Sequence, residues 1–512
     1  PATLAARRAP PTPRPWAARR WRQLRRGAVS ALLVCASSVM RSAAGVYSTR
    51  EGIESAKLYG NVNAYAYYFT DLLIGWPHPQ RVSVIIDTGS SLCGFPCEGC
   101  RHCGHHIDPP FQFTDSKTAH WITCVTEWDC SGRCDDGFCT YEQDYTEGSS
   151  IRGLWFRDIV QLGDAMQENP PVNATLGCHT DERKLFYTQR VNGIMGMAPH
   201  TNNGRPTILQ DLFIDREHVN TGVFSICLAD WGGKLSVGGF EPEYHVDPGG
   251  VNTTVQWIPL MHSGYYSVAP AQLEMGDAII ASGVGSFGTA LVDSGTTFSY
   301  LPALIYGEVR RKLHELCGDN ACHARRDGGD CWRLEDGASL PSHFPMMTMQ
   351  FQNGERVRWP PRAYLFNRGE PTFWCEAFAN NGADADTVLG VSWMLHKDVI
   401  FDLTQSRLGV VEARCPEYRH VPGESAADFP SRIAGARRSW ALRALLLMTT
   451  VSGIVIAVAA LMWLRSANYC GDRRDACCTE EQEESLVESR EGSPTSASLS
   501  RGSPKSAETS AS

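Results

Sequence analysis

Twice in this chain an apolar run stops on an aspartate and turns at once into glycine and hydroxyl residues: VSVIIDTGSS at 82–91 and TALVDSGTT at 289–297. Each run reads as a buried strand, and an unpaired carboxylate at the end of a buried strand is costly unless it is hydrogen-bonded or used. A single Asp-Thr-Gly or Asp-Ser-Gly is ordinary turn chemistry. Two copies of one device, each behind an apolar strand, imply two similar halves that bring Asp87 and Asp293 to a shared seam. A chain of 512 residues is also too long for one core.

The apolar runs are short, rich in Val, Ile, Phe and Tyr, and separated by Gly, Pro, Asn and Asp as far as about residue 415. That pattern favours strands. The alternation in AYAYYFTDLLIG (64–75) suggests the first strand, with one buried face, and LPALIYGEVRRKLHEL (301–316) is the clearest helix. The expected fold is all-β and bilobal with minor helices: an N-terminal lobe over 65–225, after a short segment 46–64, and a C-terminal lobe over 226–420. With 47 basic against 56 acidic residues, no nucleic-acid role is suggested.

The first fifty residues contain no acid and end in a basic stretch followed by a short apolar one, so 1–45 reads as a signal-peptide region. The uncharged run 444–464 has the length of one bilayer-crossing helix; it follows a polar stalk (421–443) and precedes a Ser- and Glu-rich tail (465–512) that cannot build a core. A cleaved leader would put the large domain in the lumen and the tail in the cytosol. Fifteen of nineteen cysteines lie between Cys93 and Cys415, a density that points to disulfides in an oxidising compartment. Fifteen is odd, and Cys93 is the candidate free thiol. Asn173 and Asn252 head glycosylation triplets. Spacing alone would allow a zinc site from Cys97, Cys100 and Cys103 with His102, His105 or His106, but in an oxidising lumen disulfides are the expected use, and neither metal nor cofactor is expected.

Suppose Asp87 and Asp293 share one water. Two carboxylates about 3 Å apart cannot both ionise easily, so the pair holds one proton. The ionised member can take a proton from water as it attacks a peptide carbonyl, and the protonated member can donate to the developing oxyanion. Around them, Gly89 and Gly295 permit the tight turns, Ser90 and Thr296 can donate to the carboxylates, and Thr88 and Ser294 can brace the opposing turn.

With these motifs in view, residues 65–415 resemble the pepsin-like aspartic proteases. The resemblance implies two β lobes with one Asp each and a hairpin flap over the cleft. YTEGSSIRG (145–153) is similar to that flap, with Tyr145 as its tyrosine and Gly148-Ser149 at its tip. GIMGMA (193–198) and TVLGVSWM (387–394) are similar to the strands that pass behind each catalytic loop. Many members carry a tryptophan seven residues after the first catalytic Asp; this chain has Gly94. The eight cysteines of 93–139 resemble the insert of the nepenthesin-type branch. FPCEGCRHCG, EGSSIRGLWFRD and LGCHTDERKLFYTQRVNGIMG narrow the likeness to the plasmepsin V-type, membrane-anchored proteases of the endoplasmic reticulum in apicomplexan parasites. That likeness implies polypeptide substrates of the secretory pathway, cut after the leucine of an Arg-x-Leu export motif, with Asp108 and Glu147 at the candidate arginine-binding positions.

Two other readings compete. A broad acid protease of a digestive or endolysosomal compartment fits the dyad but not the anchor, and no long basic propeptide is visible before the first strand. An inactive pepsin-like binding protein would be expected to lack one Asp, and both are present. The pattern Gly283-x-Gly285-x-x-Gly288 precedes a strand instead of opening a helix after one, and so is loop glycine rather than a dinucleotide site.

Overall fold

The computed structural model describes residues 52–419, except for short stretches at 126–127, 129, 131–132, 164–168, 202, 215–218, 220, 247–253, 336–339 and 384–385. The leader, the stalk, the apolar run 444–464, the tail and Asn252 therefore lie outside the described residues. Among the described ones, no helix is long and apolar enough to cross a membrane.

The protein is predominantly β. A 15-stranded sheet carries the first half and continues into the second, which adds sheets of five, four and four strands. The first strand begins earlier than the apolar pattern suggests. Glu54–Asn61 reads as polar, yet it is a strand because it is paired on both sides, with Gly233–Val237 and with Tyr67–Ile74. Tyr67–Ile74 in turn is buried at seven of its eight positions. Both of its faces are covered, so the expected half-exposed alternation is absent.

The division expected at 225/226 falls inside a strand. Val223–Leu228 pairs with Gly233–Val237 on one side and Lys397–Asp402 on the other, and Arg407–Glu412 continues the sheet. The two halves thus share an antiparallel region with no linker between them. The Cys227–Cys415 disulfide ties it.

The expected helix is present as Ala303–Cys317, with Pro302 at the position just before its first turn. It buries Ile305, Val309, Leu313 and Cys317, a spacing of four that keeps them on one stripe against the core. Fourteen cysteines form seven disulfides: Cys97–Cys178, Cys100–Cys103, Cys124–Cys134, Cys130–Cys139, Cys227–Cys415, Cys317–Cys322 and Cys331–Cys375. Cys93 is free and buried. The sulfurs of Cys97, Cys100 and Cys103 are thus committed to disulfides and cannot act as thiolate ligands. Asn173 is exposed within the strand Val172–Arg183.

Lys397 opens the strand Lys397–Asp402 and is 1% exposed. Its ammonium donates to the carbonyls of Trp393 at 2.7 Å and Leu395 at 3.4 Å. Burial pushes its pKa from 10.5 down to about 7. Between those two values the folded state holds fewer protons than the unfolded one, so stability rises with pH across that window. Lys397→Met is expected to raise the denaturation midpoint at pH 6 and to lose that advantage progressively as pH approaches 10. Urea titrations at the two pH values check it, and an equal gain at both would contradict it.

Candidate active site

Asp87 is the last residue of the strand Gln80–Asp87, and Asp293 directly follows Ala290–Val292. Each strand is paired in parallel by a second one: Gly193–Gly196 lies beside Val84–Asp87, and Thr387–Leu389 beside Ala290–Val292. These belong to the GIMGMA and TVLGVSWM segments. They fix the main chain of both turns: the Met197 N–H donates to the Asp87 carbonyl at 2.7 Å, and the Asp293 N–H donates to the Leu389 carbonyl at 3.0 Å.

The two turns are locked to each other by a reciprocal exchange. The Thr88 N–H donates to Ser294 Oγ at 3.1 Å and the Ser294 N–H to Thr88 Oγ1 at 2.9 Å. Each hydroxyl then donates onward across the seam, Thr88 Oγ1 to the Val292 carbonyl at 2.9 Å and Ser294 Oγ to the Ile86 carbonyl at 2.8 Å. Both residues are fully buried.

The carboxylates are held in matching ways. The Gly89 N–H donates to Asp87 Oδ1 and the Gly295 N–H to Asp293 Oδ1, each at 2.9 Å. The Ser90 hydroxyl donates to Asp87 Oδ2, and Thr296 Oγ1 donates to Asp293 Oδ2 at 2.5 Å. Each acid lies against the other turn's glycine: a Cβ on Gly89 would come within 2.7 Å of Asp293 Oδ1, and one on Gly295 would collide with Asp87 Oδ1. Only glycine permits this approach. Burial first, and the Asp293 charge second, hold the Asp87 carboxyl well above the usual carboxylate range.

Over the dyad, Phe138–Asp144 and Ser150–Leu162 form a hairpin whose turn is Tyr145–Ser149. The Tyr145 N–H donates to the Ser149 carbonyl at 2.9 Å, and the Gly148 N–H to the Tyr145 carbonyl at 2.8 Å. Gly148 sits at φ +84°, which favours glycine. Ser149 is buried and its Oγ accepts the Leu185 N–H at 3.2 Å. The Tyr145 ring packs on Phe186, 5.0 Å between centroids. Its hydroxyl lies beside Ser90 but outside hydrogen-bonding geometry, and burial and the Asp87 charge push it well above the ordinary phenol value.

The eukaryotic aspartyl protease model matches residues 67–413. Aspartic protease 5 of Toxoplasma gondii is 33% identical over 431 residues, covering 74% of this chain and 40% of its own length. The chain belongs to the eukaryotic aspartyl protease family. Plasmepsin V of Plasmodium falciparum (isolate 3D7) is 28% identical over 444 residues, covering 70% of this chain and 73% of its own. Aspartic proteinase nepenthesin-2 of Nepenthes gracilis is 24% identical over 397 residues, covering 73% and 83%. The chain thus spans less than half the length of the Toxoplasma relative.

As an aspartyl protease, the chain is an aspartic endopeptidase, and its geometry supplies each part of that chemistry. The raised Asp87 carboxyl keeps one proton in the pair at a pH where a free carboxyl would lose it. A glycine N–H holds one oxygen of each carboxyl and a hydroxyl the other, which fixes the pair in the orientation that sharing one water requires. Proton transfer from that water to the ionised acid, with donation from the other to the carbonyl oxygen, cleaves the peptide without a covalent intermediate.

Asp87, Thr88, Gly89, Ser90, Asp293, Ser294, Gly295 and Thr296 are all brought together as expected, with Tyr145, Glu147, Gly148 and Ser149 on the hairpin above. Asp108 is not part of that group. It is 6% exposed, and both Nε and Nη2 of Arg81 donate to its Oδ1, at 2.8 and 2.6 Å. Its backbone is bound to Asn192, whose N–H in turn reaches Ser83 Oγ, four residues before Asp87 and hence roughly 13 Å along the strand. Its Oδ1 is taken by the chain's own arginine, and its Oδ2 is buried with no hydrogen-bond partner. Sequence reasoning also passed over His179, Glu182, Tyr141 and Phe186. His179, Glu182 and Phe186 lie inside LGCHTDERKLF, which carried the likeness but gave no sign that the flap rests on it.

Asp87→Asn is expected to reduce kcat by at least about 10³-fold, because the shared-proton pair is lost. The same change bears on stability. A carboxyl whose folded pKa is raised disfavours folding once pH exceeds its unfolded value of about 3.9. Asp87→Asn should therefore raise Tm at neutral pH, with the difference vanishing below about pH 4. Paired calorimetry at pH 3.5 and 7 measures this; a neutral-pH loss of Tm would refute the assigned sign.

Proposed function

We propose that this aspartyl protease is a membrane-anchored, lumenal endopeptidase that processes secretory and exported proteins after the leucine of an Arg-x-Leu motif. The observation that carries the reading is Glu147, exposed at the tip of the flap hairpin two residues beyond Tyr145, with its charge felt at the Tyr145 hydroxyl. A carboxylate there can pair with a guanidinium a few residues upstream of the scissile bond. With Asp108 engaged by Arg81, Glu147 is the remaining sequence candidate for that role.

Other features agree with this setting. Seven disulfides suit an oxidising lumen. The uncharged run 444–464 has the length of a single membrane helix, which fits anchoring in the endoplasmic-reticulum membrane with the tail in the cytosol. Asn173 is an exposed glycan acceptor. The likeness to plasmepsin V and aspartic protease 5 points the same way.

Cleavage of matched peptides carrying Arg-x-Leu, Lys-x-Leu or Ala-x-Leu, with and without pepstatin, tests the reading. A charge-assisted pair is worth about 1.5–3 kcal/mol, so kcat/KM for the Arg peptide should exceed that for the Ala peptide by about 10- to 100-fold. Glu147→Gln should remove most of that preference while leaving cleavage of the Ala peptide near its original rate. Equal cutting of all three peptides would sink the motif specificity and favour a broad acid protease.

A further inference from the structure

Three buried polar atoms behind the flap have no hydrogen-bond partner: the hydroxyls of Tyr141 and Tyr145, and Nε2 of His179. Leaving such atoms unpaired costs about 1–3 kcal/mol each, so their proximity calls for an explanation. Tyr141 and His179 flank one residue of the sheet, both being register partners of Gly153 on the strand between them. Their rings lie 6.2 Å apart, edge to face.

Glycines let these side chains pack directly against the neighbouring backbone. A Cβ on Gly94 would sit 2.9 Å from His179 Nε2; one on Gly153 would sit 2.5 Å, and one on Gly177 2.8 Å, from the Tyr141 hydroxyl. Gly94 and Gly177 are themselves cross-strand partners, so these contacts converge on one closely packed site. No indole can stand at position 94, because His179 already fills the space its first carbon would enter. Phe186 closes the group, 6.3 Å from His179 and 5.0 Å from Tyr145 between ring centroids.

The protonation pattern of His179 follows from its other nitrogen. Nδ1 lies 2.8 Å from Glu182 Oε1. An ionised carboxylate only accepts, so Nδ1 carries the proton. Burial lowers the His179 pKa, leaving the ring neutral. Nε2 therefore presents a lone pair, and a phenolic O–H is the donor it lacks. Glu182 is fixed as well: its Oε2 takes the Gly104 N–H at 3.1 Å and meets His106 Nε2 at 3.0 Å. His106 Nδ1 meets the Gln189 carbonyl at 3.2 Å. A continuous set of contacts thus runs from the disulfide-closed loop Cys100–Cys103 to the base of the flap.

We propose that His179 is the positioning residue of the flap: its Nε2 accepts the Tyr141 hydroxyl, directly or through one water shared with Tyr145, and so sets Tyr145 over the dyad. It takes the place that a tryptophan at position 94 holds in many members of the family.

The inference rests on the endopeptidase activity, and the test separates the two. The full chain in detergent is assayed on an Arg-x-Leu peptide; a wild type that cleaves no peptide overturns the protease reading and this one with it. Given turnover, His179→Phe keeps the ring and removes the acceptor, and kcat/KM should fall about 10-fold or more, as for a misplaced catalytic element. Tyr145→Phe should also lower it, and the double variant should cost no more than the worse single one. Glu182→Gln can offer an N–H to Nδ1 and turn His179 to its other tautomer, so it should lower kcat/KM in the same direction. If His179→Phe does not fold, Tyr141→Phe, which deletes only a hydroxyl, is coupled with Tyr145→Phe instead. Additive losses in the cycle, or undiminished kcat/KM in a folded His179→Phe, would overturn the proposal.

Discussion

The reciprocal exchange between Thr88 and Ser294 is the interaction on which the rest of the molecule depends. Each of its hydrogen bonds contributes only about 1 kcal/mol net, so it is not the main source of stability, which comes from the buried cores. Its effect is on register. Both backbone N–H groups are sealed from water, and a slip of either turn would leave them unpaired at a cost of about 1–3 kcal/mol each. The four bonds therefore allow one relative position of the halves, and that position sets Asp87 against Gly295 and Asp293 against Gly89. The shared antiparallel strands and the Cys227–Cys415 disulfide hold the same two halves from below.

Buried ionisable groups meet different ends in this fold according to what surrounds them. Asp87 has another acid across the seam, and its proton is retained. Glu182 is buried but faces two imidazoles, His106 and His179, and these hold its carboxyl down to about 2. Asp108 has an arginine of its own. One residue type thus serves catalysis at the seam and a structural pairing at the other end of the same strand. The difference lies in the partner, not in the acid.

The second half of the flap's support comes from the cysteine-rich insert. Cys97–Cys178 joins the start of the insert to the strand that bears His179, one residue further on. The insert is thereby tied to the polar cluster beneath Tyr145 as well as decorating the lobe. This gives a physical role to a segment that composition alone marks only as a disulfide framework.

The dyad with its glycines and hydroxyls and the helix after residue 301 were legible as local patterns, an apolar run with a fixed ending and a helical run, whereas the flap and the two strands behind the catalytic turns were legible only through the family resemblance. The free thiol followed from parity. What the chain by itself could not disclose depends on contacts between distant residues. Glu54–Asn61 is a strand because of what pairs with it, not because of its own residues. Asp108 read as a substrate ligand, and only the fold showed it buried with Arg81, from the strand Gln80–Asp87, on its Oδ1. Gly94 read as a missing support, and only the packing of His179 into the space above it showed what stands there instead. Sequence marked the two acids and their immediate supports, since each sits in a local motif of a few residues; tertiary structure decided that the two motifs meet, which buried charges are paired and what braces the flap, since those depend on partners that the chain order does not place side by side.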